Sequence, residues 1–373
     1  MSHRWSRRDF LRTCSIAAVG AGLGLPKTGL GSLGTSVRGY TRGGMEYRRL
    51  GQTDLFISLL AFGSHTDPSF KRQQGDRFVL NEEGQAIRDR QVARALDLGV
   101  NMVDTYENEG QWEPVARLAR TRRNKVLVSV CRQFSQFVGD DIDQAARLFG
   151  YVDLYRIYPG EGPRVDGKML LDWDVLRKAK ESGKVRTIGI STHSEELMSN
   201  ALEELEGLDY IMFPYNFIHA RVNYSKFLPA AQSKGVGLIA IKPLACGSIV
   251  TLDPHAQSGS KPQETRIELY QKNNRAILPA VAAELTKSLH RLPDETLCQA
   301  ALRFVYSQPF ITTAMTGMFE DFTLEDNYKA LCRYSELTHE EVAALTAAKR
   351  WAEIQGPNWL PPHYRWLDER WRA

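Results

Sequence analysis

Two histidines and three carboxylates, His65, Asp104, Glu107, Glu109 and His193, fall near the C-terminal ends of stretches that read as β-strands. Imidazole and carboxylate both bind divalent ions, so the set admits a metal-dependent isomerase or hydrolase. Scattered loop acids and single histidines are more often solvated, which ranks that chemistry last. General acid chemistry is the other option, with Tyr106, Tyr158 and Glu109 as the groups that could supply a proton. A phenol with no cation beside it keeps its pKa near about 10. A carboxyl such as Glu109 works as an acid near neutrality only if burial raises its pKa by a few units. An unpaired carboxylate at Asp104 would be costly if buried, so either a cation serves it or acid chemistry of this kind is absent.

The elements that must position these groups follow a simple alternation. From Met45 onward, short β-branched runs alternate with amphipathic stretches, the pattern of βα units around a parallel sheet. Strands are expected at residues 59–62, 100–104, 126–130, 152–157, 185–190, 210–213, 237–241 and 311–315, with helices such as 88–98 and 171–182 between them. Eight strands in such alternation predict a closed (β/α)8 barrel rather than an open doubly wound sheet, and barrel chemistry sits at the C-terminal strand ends. Residues 47–50 and 55–58, separated by G-Q-T-D, read as a hairpin that plugs the barrel floor. Residues 251–261 are polar and contain Gly and Pro, reading as a long loop after the seventh strand, a lid or a surface excursion.

Composition sets the outer limits. The 373 residues are 43% hydrophobic and 25% charged with a formal net charge of +4, ordinary for a globular protein. No basic run in the body supports nucleic-acid binding; the cluster at 120–125 reads as a solvated helix end. Five cysteines, none in a C-x-x-C pair, signal neither a disulfide framework nor a zinc or iron-sulfur cluster.

Ahead of the body, residues 6–12 read S-R-R-D-F-L-R and lead into an uncharged stretch from Thr13 to Pro26 that is too short and Gly-rich for a stable membrane span. The segment resembles bacterial twin-arginine signals. That resemblance implies export of a folded protein through the twin-arginine translocation machinery to a periplasmic or other extracytoplasmic location. The organisation expected is therefore signal and linker over 1–44, barrel over 45–355, and an aromatic C-terminal tail over 356–373.

Six stretches of the body resemble aldo-keto reductases: M-E-Y-R-R-L-G-Q-T-D-L at Met45, G-V-N-M-V-D-T at Gly99, Y-V-D-L-Y-R-I at Tyr151, V-R-T-I-G-I-S at Val185, G-V-G-L-I-A-I-K-P-L-A-C-G at Gly235 and A-L-R-F-V-Y-S-Q-P at Ala301. The resemblance implies a barrel with NADP or NAD across its mouth, passing hydride to a carbonyl while a tyrosine protonates the oxygen. In that family an Asp and a Lys tune the tyrosine and a His orients the carbonyl. Asp104 matches the aspartate, but Glu109 occupies the tyrosine position with Tyr106 the nearest phenol, Cys131 stands in the lysine register, and Tyr158 replaces the histidine. On the cofactor side, Ser191 matches the residue that meets the nicotinamide carboxamide and Thr192 replaces its usual Asn neighbour. Lys242, Leu244, Gly247 and Ser248 would line the pyrophosphate, and Gly317, Asp326 and Asn327 would lie on the adenosine side. Glu320 and Asp321 would repel a 2′-phosphate, which keeps NAD level with NADP.

The function implied is an exported oxidoreductase with altered catalytic residues, acting on a small carbonyl or sugar-like substrate. The alternative is a non-catalytic barrel that binds a ligand or partner. For that alternative the tail aromatics Trp359, Tyr364, Trp366 and Trp371 would form a stacking platform, although packing over the barrel is their simpler use.

Overall fold

The computed structural model describes residues 39–63, 65–74, 77–106, 112–132, 137–159, 162–216, 226–244, 295–318 and 321–332. Eight parallel strands close a barrel in the order β4 (Leu60–Gly63), β7 (Met102–Tyr106), β8 (Leu127–Arg132), β9 (Val152–Ile157), β10 (Val185–Ser191), β11 (Tyr210–Pro214), β12 (Gly237–Ile241) and β13 (Thr313–Gly317). All eight expected strands are there. The helices between them are α1 (Glu82–Asp97), α2 (Trp112–Arg122), α3 (Val138–Phe149), α4 (Gly167–Glu181), α5 (Glu195–Glu204), α6 (Phe227–Ser233), α7 (Leu297–Tyr306) and α8 (Asp321–Cys332). Among the described residues, no helix is long and apolar enough to cross a membrane.

Local chemistry sets the helix limits. Asn81, Asp166 and Ser194 each accept a backbone N–H in the first turn of α1, α4 and α5, and Thr296 with Gln299 forms a capping box on α7. β7 begins two residues later than the sequence suggests because the Val100 N–H still closes the end of α1 on the Ala95 carbonyl.

The floor is a three-stranded antiparallel sheet of β1 (Gly39–Arg42), β2 (Met45–Arg49) and β3 (Phe56–Ser58). The expected hairpin forms its second half; β1 is an addition. Leu50, Leu55 and Ile57 pack into the barrel interior with Ala61, Met102, Leu154, Tyr210, Met212, Ile239 and Met315, closing the lower end. Buried Arg48 donates to the carbonyls of Tyr306, Gln308 and Ile311 at 2.8, 2.8 and 2.7 Å, fastening this sheet below β13. Arg123, within the basic cluster read as a solvated helix end, instead donates to the Phe149, Val126 and Tyr151 carbonyls and to buried Asp153.

The interior residues fix which side chains can meet. Because strand side chains alternate, Met102 inward places Asp104 inward, Leu154 does the same for Arg156, and Tyr210 for Met212. Gly189 is required beside Tyr210: a Cβ there would lie 2.7 Å from two ring carbons. At the upper end, an insertion between β4 and α1 forms a second hairpin, β5 (Lys71–Gln74) and β6 (Arg77–Leu80), which the sequence pattern did not announce.

Candidate active site

Asp104, on the inner face of β7, is fully buried. Its partner is Arg156, two strands away on β9 and equally buried. The guanidinium grips the carboxylate with both arms, Nη1 to Oδ1 at 2.6 Å and Nη2 to Oδ2 at 2.9 Å. Ser129 on the intervening β8 completes the unit, donating to Asp104 Oδ1 at 2.7 Å and accepting from Arg156 Nη1 at 2.9 Å. Parallel, charge-assisted bonds of this kind are what a buried carboxylate needs to remain charged away from water. The cation demanded by Asp104 thus comes from β9, not from the end of β8.

Register explains that choice. Tyr106, Cys131 and Arg156 pair across β7, β8 and β9, one layer nearer the mouth than Asp104 and Ser129. Cys131 is fully buried there, and burial pushes its thiol up to about 12, with Arg156 opposing the rise. It stays protonated at neutral pH and is no nucleophile. Tyr210 fills the interior lower down, and burial raises its phenol well above the ordinary value. Neither group can exchange protons readily near neutrality.

The rim is different. Tyr158 follows β9 immediately and is half-buried, as is His193 in the turn between β10 and α5. The Tyr158 hydroxyl lies 3.3 Å from His193 Nδ1, and the rings meet edge to face with centroids 5.7 Å apart. Ser191 ends β10 in register with Met212 and is buried. The Thr192 hydroxyl accepts from the Ser194 N–H at 3.1 Å, and its backbone donates to Met212. That hydroxyl shapes the turn carrying His193.

On the next two strands, buried Asn216 donates to the Lys242 carbonyl at 3.0 Å. Lys242 holds φ at 55°, a left-handed conformation that costs a residue with a Cβ roughly 1–3 kcal/mol. Leu244, two residues on, packs against the outer core. Gly317 ends β13 opposite Gly63 of β4. Asn327 is buried and donates to Thr316 Oγ1 at 3.0 Å, while Asp326 accepts from Gln299 at 2.6 Å. Asn327 therefore ties α8 to β13, and Asp326 ties it to α7. Exposed Asp321 faces Arg90 at 3.0 Å, so its charge is compensated where the sequence suggests repulsion of a 2′-phosphate.

Arg88 of α1 closes the rim between the first and last strands. It donates to the Met318 carbonyl at 3.0 Å and the His65 carbonyl at 2.7 Å, over the Phe62 ring. Among the described residues, no three His, Cys, Asp or Glu side chains gather as metal ligands. Glu107, Glu109, Gly247 and Ser248, together with residues 1–38, the loop at 251–261 and the aromatic tail, lie outside the described residues.

Sequence reasoning missed Arg156 and Asn216, and it placed His193 in a metal set rather than beside Tyr158. The signal for Arg156 was present: V-D-L-Y-R-I puts a cation on the same strand face as Leu154.

The match to known proteins agrees with this architecture. The model of the aldo/keto reductase family covers residues 74–350. The L-glyceraldehyde 3-phosphate reductase of Escherichia coli K12 is 24% identical over 335 residues, 80% of this chain and 91% of that protein. The L-galactose dehydrogenase of Arabidopsis thaliana is 24% identical over 327 residues, 81% of this chain and 94% of that protein. Among solved structures, the glycerol dehydrogenase of Gluconobacter oxydans superposes with a TM-score of 0.61 at 20% identity, covering 81% of this chain and 94% of its own. An aldo-keto reductase of Klebsiella pneumoniae in complex with NADP and acetate gives 0.56 at 19% identity, with 80% and 93% covered. With a closed eight-stranded barrel, an acid held on the inner face of its second strand and a family model spanning most of its length, the chain belongs to the aldo/keto reductase family of oxidoreductases.

Proposed function

We propose that this protein is an exported nicotinamide-dependent oxidoreductase that interconverts a small carbonyl, sugar-like in character, and the corresponding alcohol. The observation that carries the reading is the buried Asp104–Arg156 pair. An ion pair of this depth gives weak stability for its desolvation cost. Arg156 lies one residue from the mouth-side end of β9 with Asp104 one layer below it on the inner face of β7, and this place beneath the barrel mouth favours a role in the site. Arg156 there replaces the missing lysine as the fixed positive charge beneath the reacting oxygen.

The chain's own residues suit a dinucleotide. The Ser191 hydroxyl at the end of β10 and the Asn216 amide just beyond the end of the adjacent β11 offer a carboxamide both donor and acceptor. Lys242 ends the following strand and supplies a cation for phosphate, in a backbone conformation that Asn216 holds in place. When bound, a reduced nicotinamide supplies hydride. The protein then holds the carbonyl, shields it from water and delivers a proton, for which Tyr106, Tyr158 and Glu109 are the candidate groups. The Arg90 partner of Asp321 and the NADP complex of the Klebsiella relative favour NADP over NAD. The sugar-derived substrates named for the Escherichia coli and Arabidopsis relatives favour a polyhydroxylated carbonyl compound.

Export rests on S-R-R-D-F-L-R at residues 6–12. Free dinucleotide is expected to be scarce outside the cytoplasm, so a catalytic barrel must be loaded before transport, as the twin-arginine route permits. Fluorescence titration of the cytoplasmically folded protein with NADPH and NADH tests the reading. Binding of at least one is expected, and binding of neither refutes it. Binding without turnover across a carbonyl panel would instead support a ligand-binding barrel. Replacing Arg7 and Arg8 by Lys and fractionating cells tests the address directly: the altered protein should stay in the cytoplasm, and unchanged export would refute the twin-arginine route.

A further inference from the structure

We infer that Tyr158 is the proton donor of this site and that His193 reloads it from solvent, an inference that rests on the oxidoreductase reading above. A carbonyl reduced by hydride must gain one proton on oxygen, from a group that can lose it near neutral pH and regain it from water. The groups deeper in the barrel fail that requirement. Cys131 and Tyr210 are sealed from water and hold their protons, and the Arg156 guanidinium does not release its own. Tyr155 points to the helix side and donates to Asp141, while buried Tyr215 stacks on Phe304.

Tyr158 meets the requirement on geometry. It lies two residues beyond Arg156, just past the end of β9 and roughly 7 Å towards the mouth. It is half-buried, so its hydroxyl is not sealed from water as the deeper groups are. His193 Nδ1 lies 3.3 Å from its hydroxyl, and His193 is itself half-buried at the rim. The tautomer that places the proton on Nδ1 makes His193 the donor to a phenolate, and the other makes it the acceptor of the phenol proton. The turn is set by the Thr192 hydroxyl on the Ser194 N–H and by the Ser194 cap of α5, which holds the imidazole at the end of β9.

The steps balance. The carbonyl carbon takes hydride, two electrons and one proton, from a reduced nicotinamide dinucleotide, which becomes oxidised. The carbonyl oxygen takes the Tyr158 hydroxyl proton as that O–H bond breaks. His193, as imidazolium, gives its Nδ1 proton to the phenolate and returns to neutral imidazole, then regains a proton from solvent, so each turnover consumes one solvent proton. Alcohol oxidation runs the same path in reverse.

The test uses the full-length protein with Tyr158→Phe, His193→Ala and Tyr106→Phe. Tyr158→Phe is expected to lower kcat by about 100-fold or more while the dinucleotide Kd stays unchanged. His193→Ala is expected to lower kcat and to be restored by added imidazole, a rescue that a purely structural histidine would not show. In dinucleotide-free protein, NMR titration of His193 is expected to shift in Tyr158→Phe. Wild-type kcat in Tyr158→Phe, loss of activity in Tyr106→Phe alone, or a His193 titration indifferent to Tyr158 overturns the inference. If wild-type protein neither binds dinucleotide nor transfers hydride, the oxidoreductase reading fails instead, and the NMR result still reports whether the pair exists.

Discussion

Replacing Arg156 by Met leaves Asp104 buried with Ser129 as its remaining partner in the triad, because both guanidinium bonds to the carboxylate are lost. Breaking a buried pair from one side typically costs about 3–5 kcal/mol. In a domain of this size each kcal/mol lowers Tm by roughly 2–4 °C, so a fall of about 10 °C is expected. Removing both charges, as in Asp104→Leu with Arg156→Met, should recover most of the stability, since an apolar replacement of a buried pair is often neutral. Urea melts of wild type, the two single variants and the double variant close the cycle. A single variant within about 1 kcal/mol of wild type, or a double variant no better than the single, would refute the argument that this pair is held closed against water.

Other expectations are narrower. Cys131, with its thiol pushed up to about 12 by burial, should resist alkylation in native protein at about pH 8 and react once the chain unfolds; peptide mapping by mass spectrometry reads this directly. Tyr306 is fully buried with a hydroxyl that meets no partner among the described residues, so Tyr306→Phe should raise stability by about 1 kcal/mol in denaturant melts. Lys242→Gly should leave stability unchanged or slightly higher, because φ of 55° suits glycine, yet weaken dinucleotide binding about tenfold through loss of the cation. Gly189→Ala should destabilise by roughly 1–3 kcal/mol, since the new methyl group would press on the Tyr210 ring.

The barrel was legible because its signal is repeated. Runs such as V-D-L-Y-R-I and G-L-I-A-I are buried along nearly their whole length, and apolar density marks such strands whatever their register. The β5–β6 hairpin was not legible: K-R-Q-Q and R-F-V-L carry too little apolar alternation to separate them from a polar loop, and the pairing comes from their own backbones. The site was read in part. Asp104 could be placed by counting to the end of a strand, but its partner could not. Residues 152–157 contain both Asp153 and Arg156, both fully buried, and only the register decides which one faces the barrel interior. Asp153 faces outward to Arg123 and Arg186, while Arg156 faces Asp104. The family resemblance puts the cation at the end of β8, where Cys131 stands, one strand before Arg156. The Tyr158–His193 contact joins residues 35 apart through two strand ends, a proximity that no local spacing encodes.

The most direct test of the central claim is to follow the hydrogen itself. Purified protein loaded with reduced dinucleotide carrying deuterium at the transferable position is mixed with small polyhydroxylated aldehydes, and the products are examined by mass spectrometry. A working oxidoreductase places one deuterium on the new carbinol carbon, with matching oxidation of the dinucleotide. Dinucleotide that binds but keeps its deuterium against every aldehyde would contradict the account.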